Sequence, residues 1–334
     1  MGKPLTISIV VTNYNYGRFL TQCLDSVAAQ TYPYVECVVV DDGSTDDSRE
    51  IIARYSAVKP VLQSNTGHAI AAKNGFRAST GQVIVFLDSD DFLFPDACAE
   101  IARQWTNDLV ALHYRLQIYR DGKFEHRFWP EGPFQAEGKT ECLFKLGYLP
   151  AAPTSGNAYA SSYVELIFRE GTGLAFNSID STLAFSAPVV GKTAYSERAF
   201  GAYRMHGDNV TIWDRRRPIS RARMGLFYGY HAQSTARKLA MARRMAVPKW
   251  DFLNGAYELK LYLTIRGTAV EALGLPERAP LACATQAART FLKIPGLSLA
   301  RRLANVAIVY ALAASPYAVR RLVGERFYNL DFAE

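Results

Sequence analysis

Gln82-Val83-Ile84-Val85-Phe86-Leu87-Asp88-Ser89-Asp90-Asp91 is the stretch on which the fold of this chain turns. Its first six residues have the length and β-branched content of a strand buried on both faces. Three carboxylates stand just past the strand's end, and they repel one another unless a cation or solvent separates them. A hard divalent ion such as Mg²⁺ or Mn²⁺ prefers carboxylate oxygens and commonly bridges them to the phosphate oxygens of a nucleotide. The plainer alternative is that one Asp caps the next helix and the others face water.

Outward from this strand the same pattern repeats. Leu5 to Thr12 is another β-branched run, ending in the turn formers Asn13-Tyr14-Asn15-Tyr16-Gly17. Phe19, Leu20, Cys23, Leu24 and Val27 then fall on one helical stripe. Val35 to Val40 predicts a strand running into Asp41-Asp42-Gly43-Ser44, with Ser44 as the cap of a helix that begins near Asp46. A strand near Pro60-Val61-Leu62 leads through Ser64-Asn65-Thr66-Gly67 to a helix over residues 68–79, which Gly81 is expected to stop.

Strand, loop and helix in alternation predict an open parallel sheet with right-handed crossovers. Ligands of such sheets bind beyond the carboxyl ends of the strands. Three of those loops carry polar clusters here: Thr12 to Asn15, Asp41 to Ser44, and Asp88 to Asp91. No G-x-G-x-x-G follows the first strand and no G-x-x-x-x-G-K-[ST] occurs, so dinucleotide and P-loop functions lose their main support.

In order, Ile9-Val10-Val11-Thr12-Asn13-Tyr14-Asn15, Val38 to Asp46, Asn65-Thr66-Gly67 with Ala72-Lys73-Asn74-Gly75, and Phe86 to Asp91 resemble the family 2 glycosyltransferases. The resemblance spans residues 5–214. It implies a GT-A fold: an α/β architecture with an open, mostly parallel sheet flanked by helices. It also implies a nucleoside-diphosphate-sugar donor, a divalent metal (Mg²⁺ or Mn²⁺) and inverting transfer to a glycan or lipid-linked acceptor. Uridine is the base most often met in the family.

Roles for individual residues follow from the resemblance. Thr12, Asn13 and Tyr14 are expected to line the base and ribose pocket, with Tyr14 available for stacking. Asp42 or Asp41 accepts a base N–H. Asp88 and Asp90, with Ser89 between them, are expected to hold the ribose and metal, with Asp91 close to the reacting sugar or metal. Lys73 stands where the family usually has Arg, and Lys is the weaker bidentate phosphate clamp. His68 is an alternative phosphate or base contact. Both also suit a solvated helix face.

The acceptor half is expected to open with a strand from Asp108, a hairpin turn at Asp121-Gly122 and a Pro- and Gly-punctuated stretch over 130–160. Thr154-Ser155-Gly156 fits the family's T-S-G segment. The family's E-D pair corresponds to Ile179-Asp180, so the Asp is kept and the Glu is not. Inverting transfer needs a carboxylate to take the acceptor's proton, and Asp180 is the candidate base. An ordinary Asp favoured by a helix N-terminus is the alternative, and Glu165 and Glu170 are the next carboxylates. Tyr203-Arg204-Met205-His206, with Asn209, looks like the family's Y-R-x-H-x-x-N. It implies that Arg204 meets diphosphate oxygens and that His206 does so or completes the metal shell.

Charge divides the chain. Residues 1–214 carry 18 Lys+Arg and 24 Asp+Glu, a balance of −6; residues 215–334 carry 20 and 7, a balance of +13; together they give the net +7. An acidic catalytic domain over 1–214 and a basic helical region over 215–334 are therefore expected, with helical stripes over 219–246 and 250–274. Leu303 to Ala314 is apolar between Arg301-Arg302 and Arg320-Arg321, and short for a membrane span. It suits either a helix buried within the tail or one lying on an anionic membrane surface. Nucleic acid is not expected, because no binding module is present.

Five scattered cysteines without C-x-x-C spacing or a secretory leader point to reduced core residues of a cytoplasmic enzyme, peripheral on the inner membrane face if the tail touches lipid. Surface polysaccharide or glycolipid synthesis is the setting the resemblance implies. Two other classes fit a similar sheet: a catalytically inactive nucleotide- or glycan-binding homologue, and a sugar-nucleotide nucleotidyltransferase. The latter expects a Gly-rich basic loop after the first strand, which Thr12-Asn13-Tyr14-Asn15 is not.

Overall fold

A computed structural model of the chain describes residues 3–130, 143, 152–170, 179–207, 209, 232–245, 259–260, 262–263, 278–294 and 298–316. They fall into two compact units: 1–131 with 151–205, and 132–150 with 206–334. Most of the helical stripes expected over 219–246 and 250–274 lies outside the described residues.

The first unit is built on one nine-stranded sheet. Its N-terminal part alternates strand and helix: β1 (Ile7–Asn13), α1 (Gly17–Ala28), β2 (Val35–Asp42), α2 (Ser48–Ile52), β3 (Val58–Gln63), α3 (His68–Ala78) and β4 (Val83–Asp88). β5 (Phe92–Leu93), α4 (Ala97–Gln104), β6 (Leu109–Arg120), β7 (Lys123–Trp129), β8 (Asn157–Ala160), α5 (Ser161–Glu170), α6 (Ile179–Val190) and β9 (Lys192–Met205) follow. The strand order is β3-β2-β1-β4-β8-β6-β9-β5, with β7 paired to β6. β3, β2, β1 and β4 are parallel, as the alternation predicts. β8 then enters antiparallel between β4 and β6, while β6 and β9 run parallel. The second half is therefore mixed. Between β6 and β7 the turn residues Asp121 and Gly122 both take positive φ, 49° and 79°, as a two-residue hairpin requires.

Burial explains why β1, β2 and β4 were so legible. Ile9, Val10, Val11, Val38, Val39, Val40 and Val83 to Leu87 are buried on both faces of the sheet. Gly75 lets α3 close onto this layer: a Cβ there would sit 2.3 Å from Val10 Cγ1 and 2.8 Å from Val40 Cγ2.

Two local expectations fail, both for tertiary reasons. α2 begins at Ser48 without a side-chain cap, because the Ser44 hydroxyl instead accepts from Asn13 Nδ2 and the Asn15 amide. α3 ends at Ala78, with Ser79 turning extended, before Gly81 is reached. Gly81 is required for another reason: a Cβ there would lie 2.5 Å from the Ser8 amide nitrogen, and its own amide donates to Ser8 Oγ.

In the second unit, α7 (Pro280–Phe291) and α8 (Leu299–Ala314) form a helical hairpin. Cys283, Ala284, Ala287, Ala288 and Phe291 are buried on α7, and Ile308, Val309 and Leu312 on α8. Ser298 caps α8 by accepting from the Arg301 amide. Among the described residues no helix is long and apolar enough to cross a membrane. Cys23, Cys37, Cys98 and Cys283 are buried, and Cys142 lies outside the described residues.

Candidate active site

The carboxyl ends of β1, β2 and β4 are neighbours in the sheet, so the three polar loops meet at one edge. Asn13 pairs with Asp41 across β1 and β2, and Thr12 with Asp88 across β1 and β4. The first two loops are laced together by side chains. Asn13 Nδ2 donates to Asp41 Oδ1 and to Ser44 Oγ, both at 3.2 Å. Asn15, at φ 56°, accepts from the Thr45 amide, and the Gly17 amide donates to Asp46 Oδ2. Burial alone would raise the Asp46 pKa, but bonds from the Ser48 hydroxyl and the Gly17 and Ser48 amides lower it overall.

Asp41 and Asp42 turn to opposite sides, as successive strand residues must. Asp41 is fully buried and accepts from Asn13, the Ser44 amide and Arg49 Nε at 2.8 Å. Asp42, also buried, accepts from Gln63 Nε2, the Thr66 amide at 2.8 Å and the Gly67 amide at 2.9 Å. Gln63 in turn is held by Asn74 Nδ2. Both carboxylates are thus engaged in fixing loops. The acceptor left over in this pocket is Asn13 Oδ1, which is buried and has no hydrogen-bond partner among the described residues. Thr12 is buried beside it and Tyr14 stands exposed at the rim.

Past β4, one oxygen from each of Asp88, Asp90 and Asp91 lies within 4.8 Å of the others. Their surroundings differ. Asp91 is buried, accepting the Ser155 hydroxyl at 2.6 Å and the Arg204 amide at 2.8 Å. Burial, then the charges of Asp90 and Asp88, push its carboxyl well above the usual range, against those two bonds. Asp88 and Asp90 are part-exposed, and Ser89 is buried with its amide on Thr12 O. Ser155 Oγ also accepts from the Asp88 amide at 3.1 Å, so one hydroxyl ties both ends of the loop to the Thr154–Gly156 turn. The buried serine of this segment is thus a brace of the carboxylate cluster.

His68 opens α3 with Nε2 3.1 Å from Asp88 Oδ1. Burial works against its protonation, yet the hydrogen bond and charge of Asp88, with Asp180 and Asp90 behind it, raise its pKa overall. Asp180, part-exposed in the first turn of α6, therefore lies within electrostatic reach of the donor-side cluster. Glu165 is exposed on α5.

Lys73 and Arg204 each lie against aromatic rings. The Lys73 ammonium is 5.9 Å from the centre of the Phe168 ring. Arg204 Nε donates to the Asp90 carbonyl at 2.6 Å and Nη2 to Gln22 Oε1 at 2.7 Å. Its guanidinium carbon lies 4.8, 5.1 and 5.4 Å from the rings of Phe19, Tyr119 and Phe92. His206 falls in the second unit, where its amide donates to Asn209 Oδ1. Arg49, Gln63 and Gln22 were not singled out by sequence reasoning and carry no local signal, whereas Asn15 and Ser155 stood inside quoted motifs without a role of their own.

The sequence profile of Glycosyl transferase family 2 matches residues 8–155, the span that holds all three loops and Ser155. The chain belongs to this family. An uncharacterized glycosyltransferase of Nostoc sp. is 34% identical over 214 residues, 61% of this chain and 66% of that protein. The glycosyltransferase GlyG of Streptococcus pneumoniae is 36% identical over 217 residues, 62% of this chain and 63% of that protein. The chain thus spans about two thirds or less of the length of these relatives.

Solved structures bear out the GT-A fold. TarS of S. aureus (residues 1–349), in complex with UDP, has a TM-score of 0.51 at 16% identity, covering 98% of this chain and 92% of that one. The mannosyltransferase PcManGT of Pyrobaculum calidifontis, in complex with GDP-Man and Mn²⁺, gives 0.52 at 17% identity, covering 99% and 88%.

Proposed function

We propose that this protein is a metal-dependent, inverting glycosyltransferase that moves a sugar from a nucleoside diphosphate to a hydroxyl of a glycan or lipid-linked acceptor. The observation that carries this is the carboxylate cluster at the carboxyl edge of the parallel strands, with Asp180 in electrostatic reach of it. Its donors fit a hard divalent ion, Mg²⁺ or Mn²⁺: they are all carboxylate oxygens, and mutual repulsion at this spacing favours a cation among them. Asp88 and Asp90 are the ligands, since Asp91 is engaged by Ser155 and Arg204. The bound ion supplies Lewis-acid stabilisation of the leaving diphosphate.

The chain's own residues do the rest. Asn13 Oδ1 is the acceptor offered to a base N–H, in place of Asp41 and Asp42, which hold the loops around it. Tyr14 stacks on the base from the rim. His68, inclined toward its charged form by three carboxylates, faces the diphosphate side. Asp180 takes the proton from the acceptor hydroxyl as its oxygen attacks the anomeric carbon. A UDP-sugar is the first donor to test, as TarS is seen with UDP, and GDP-mannose the second. Surface polysaccharide or glycolipid assembly on the cytoplasmic side is the setting.

Asp180→Asn tests the reading. It keeps the size and hydrogen bonding of the side chain but removes the proton acceptor. Single-turnover transfer should fall on the order of 10²–10⁴-fold, with donor affinity by calorimetry nearly unchanged. Transfer close to wild type would remove Asp180 as the base.

A further inference from the structure

The exposed residues of α8 are Leu299, Ala300, Leu303, Ala307, Tyr310, Ala311 and Ala314, and every one is apolar or aromatic. They recur at helical spacing, opposite the buried Asn305, Ile308, Val309 and Leu312 that face into the unit. A surface helix normally shows water its charged face; this one shows Leu299 at 68% and Leu303 at 53% exposure. The surface continues onto α7. Tyr310 donates to Thr285 Oγ1, which places Tyr310 beside the outer face of α7 bearing the exposed Leu281.

Charge indicates what covers this face. Residues 278–316 contain Arg278, Arg289, Lys293, Arg301 and Arg302 and no Asp or Glu at all. Arg289 and Lys293 are exposed, next to exposed Leu292. An apolar stripe flanked by cations with no acid among them matches an anionic bilayer: the stripe meets the acyl boundary and the cations meet headgroup phosphates. At 16 residues, α8 is about 24 Å long, short of the roughly 30 Å hydrocarbon core. It lies along the surface and does not cross.

We propose that the α7–α8 hairpin is a docking surface for an anionic lipid bilayer. The inference is independent of the transfer chemistry, because binding is measured without donor or acceptor, so either can fail alone.

The test is co-sedimentation of the full chain with vesicles of phosphatidylcholine alone, and with phosphatidylglycerol as about a third of the lipid. Binding is expected with the anionic vesicles, weakening as salt rises. Arg289→Gln with Lys293→Gln should weaken it about 30-fold, roughly fivefold for each cation. Leu303→Glu and, separately, Leu299→Glu should weaken it on the order of tenfold or more. Leu299 opens the helix, where an acidic side chain is tolerated, so that variant stays informative if the other fails to fold. No binding to anionic vesicles, equal binding to neutral ones, or binding unchanged in these variants would overturn the proposal. So would a change of oligomeric state by light scattering in Leu303→Glu with vesicle binding intact, which would make a second copy the occupant.

Discussion

Ser155→Ala isolates the brace that holds the carboxylate loop. The Ser155 hydroxyl has no exposure, donates to Asp91 Oδ2 at 2.6 Å and accepts from the Asp88 amide at 3.1 Å. Its loss leaves a buried N–H without this acceptor, at about 1–3 kcal/mol, and strips one of two donors from a buried carboxyl, at about 1.5–3 kcal/mol. Because one hydroxyl makes both bonds and water can relax into part of the gap, the expected sum is about 2–4 kcal/mol. Removing one oxygen creates almost no cavity, so packing contributes little. Ser186 supplies the matched control: its hydroxyl is equally buried, on α6, and has no hydrogen-bond partner among the described residues. Ser186→Ala should therefore be neutral within about 0.5 kcal/mol, or stabilising. Urea unfolding of the full chain measures both, as a shifted midpoint at unchanged slope. Mn²⁺ affinity by electron paramagnetic resonance should also weaken in Ser155→Ala alone. Equal midpoints for the two variants would refute the reasoning.

Asp90→Asn should abolish Mn²⁺-dependent nucleotide binding in a calorimetric titration while leaving the unfolding midpoint within about 0.5 kcal/mol of wild type, since the side chain is part-exposed in a loop. Gly75→Ala should destabilise by about 1–3 kcal/mol in urea, because the new Cβ meets Val10 and Val40 inside 3 Å; helix propensity alone predicts a gain of about 1 kcal/mol, so the sign decides. Asp46 has a lowered pKa, so the stability it contributes is present above the unfolded value of 3.8 and is lost as pH falls through the lower folded one. Asp46→Asn should flatten the acid limb of a melting-temperature profile below about pH 4 and leave its slope above about pH 6 unchanged.

The parallel half of the fold was legible because its strands are buried on both faces, which forces continuous β-branched runs such as Val38-Val39-Val40. The antiparallel insertion of β8 was not. Asn157–Ala160 is four residues long, and its place between β4 and β6 is set by partners more than forty residues away in sequence. β5, two residues paired to β9, carries even less local signal. Ser44 shows how tertiary demand overrides a local rule: its hydroxyl stitches β1's loop to β2's, and α2 goes without its cap. For α8, sequence left burial and surface contact as alternatives, and the helix has a face of each kind.

Residue type picked out the candidate carboxylates; it did not separate those buried against the loops from those that face outward. Asp41, Asp42 and Asp91 are buried, each accepting from at least one backbone amide, and Asp41 also from Arg49. Asp88, Asp90 and Asp180 are part-exposed. Adjacent strand residues point to opposite faces, so nothing in the letters Asp41-Asp42 tells which loop each will hold until the neighbouring strand supplies Asn13 or the Thr66–Gly67 turn. Arg204 was legible as a motif residue, but the motif does not tell what its guanidinium packs against. Its guanidinium sits among Phe19, Phe92 and Tyr119, and its backbone and side chain bond Asp91 and the Asp90 carbonyl, so its positive charge stiffens the loop from behind. With that charge so placed and the buried carboxylates saturated, the negative potential of the cluster is directed outward through Asp88 and Asp90, which is the field a divalent ion and a diphosphate together would complete.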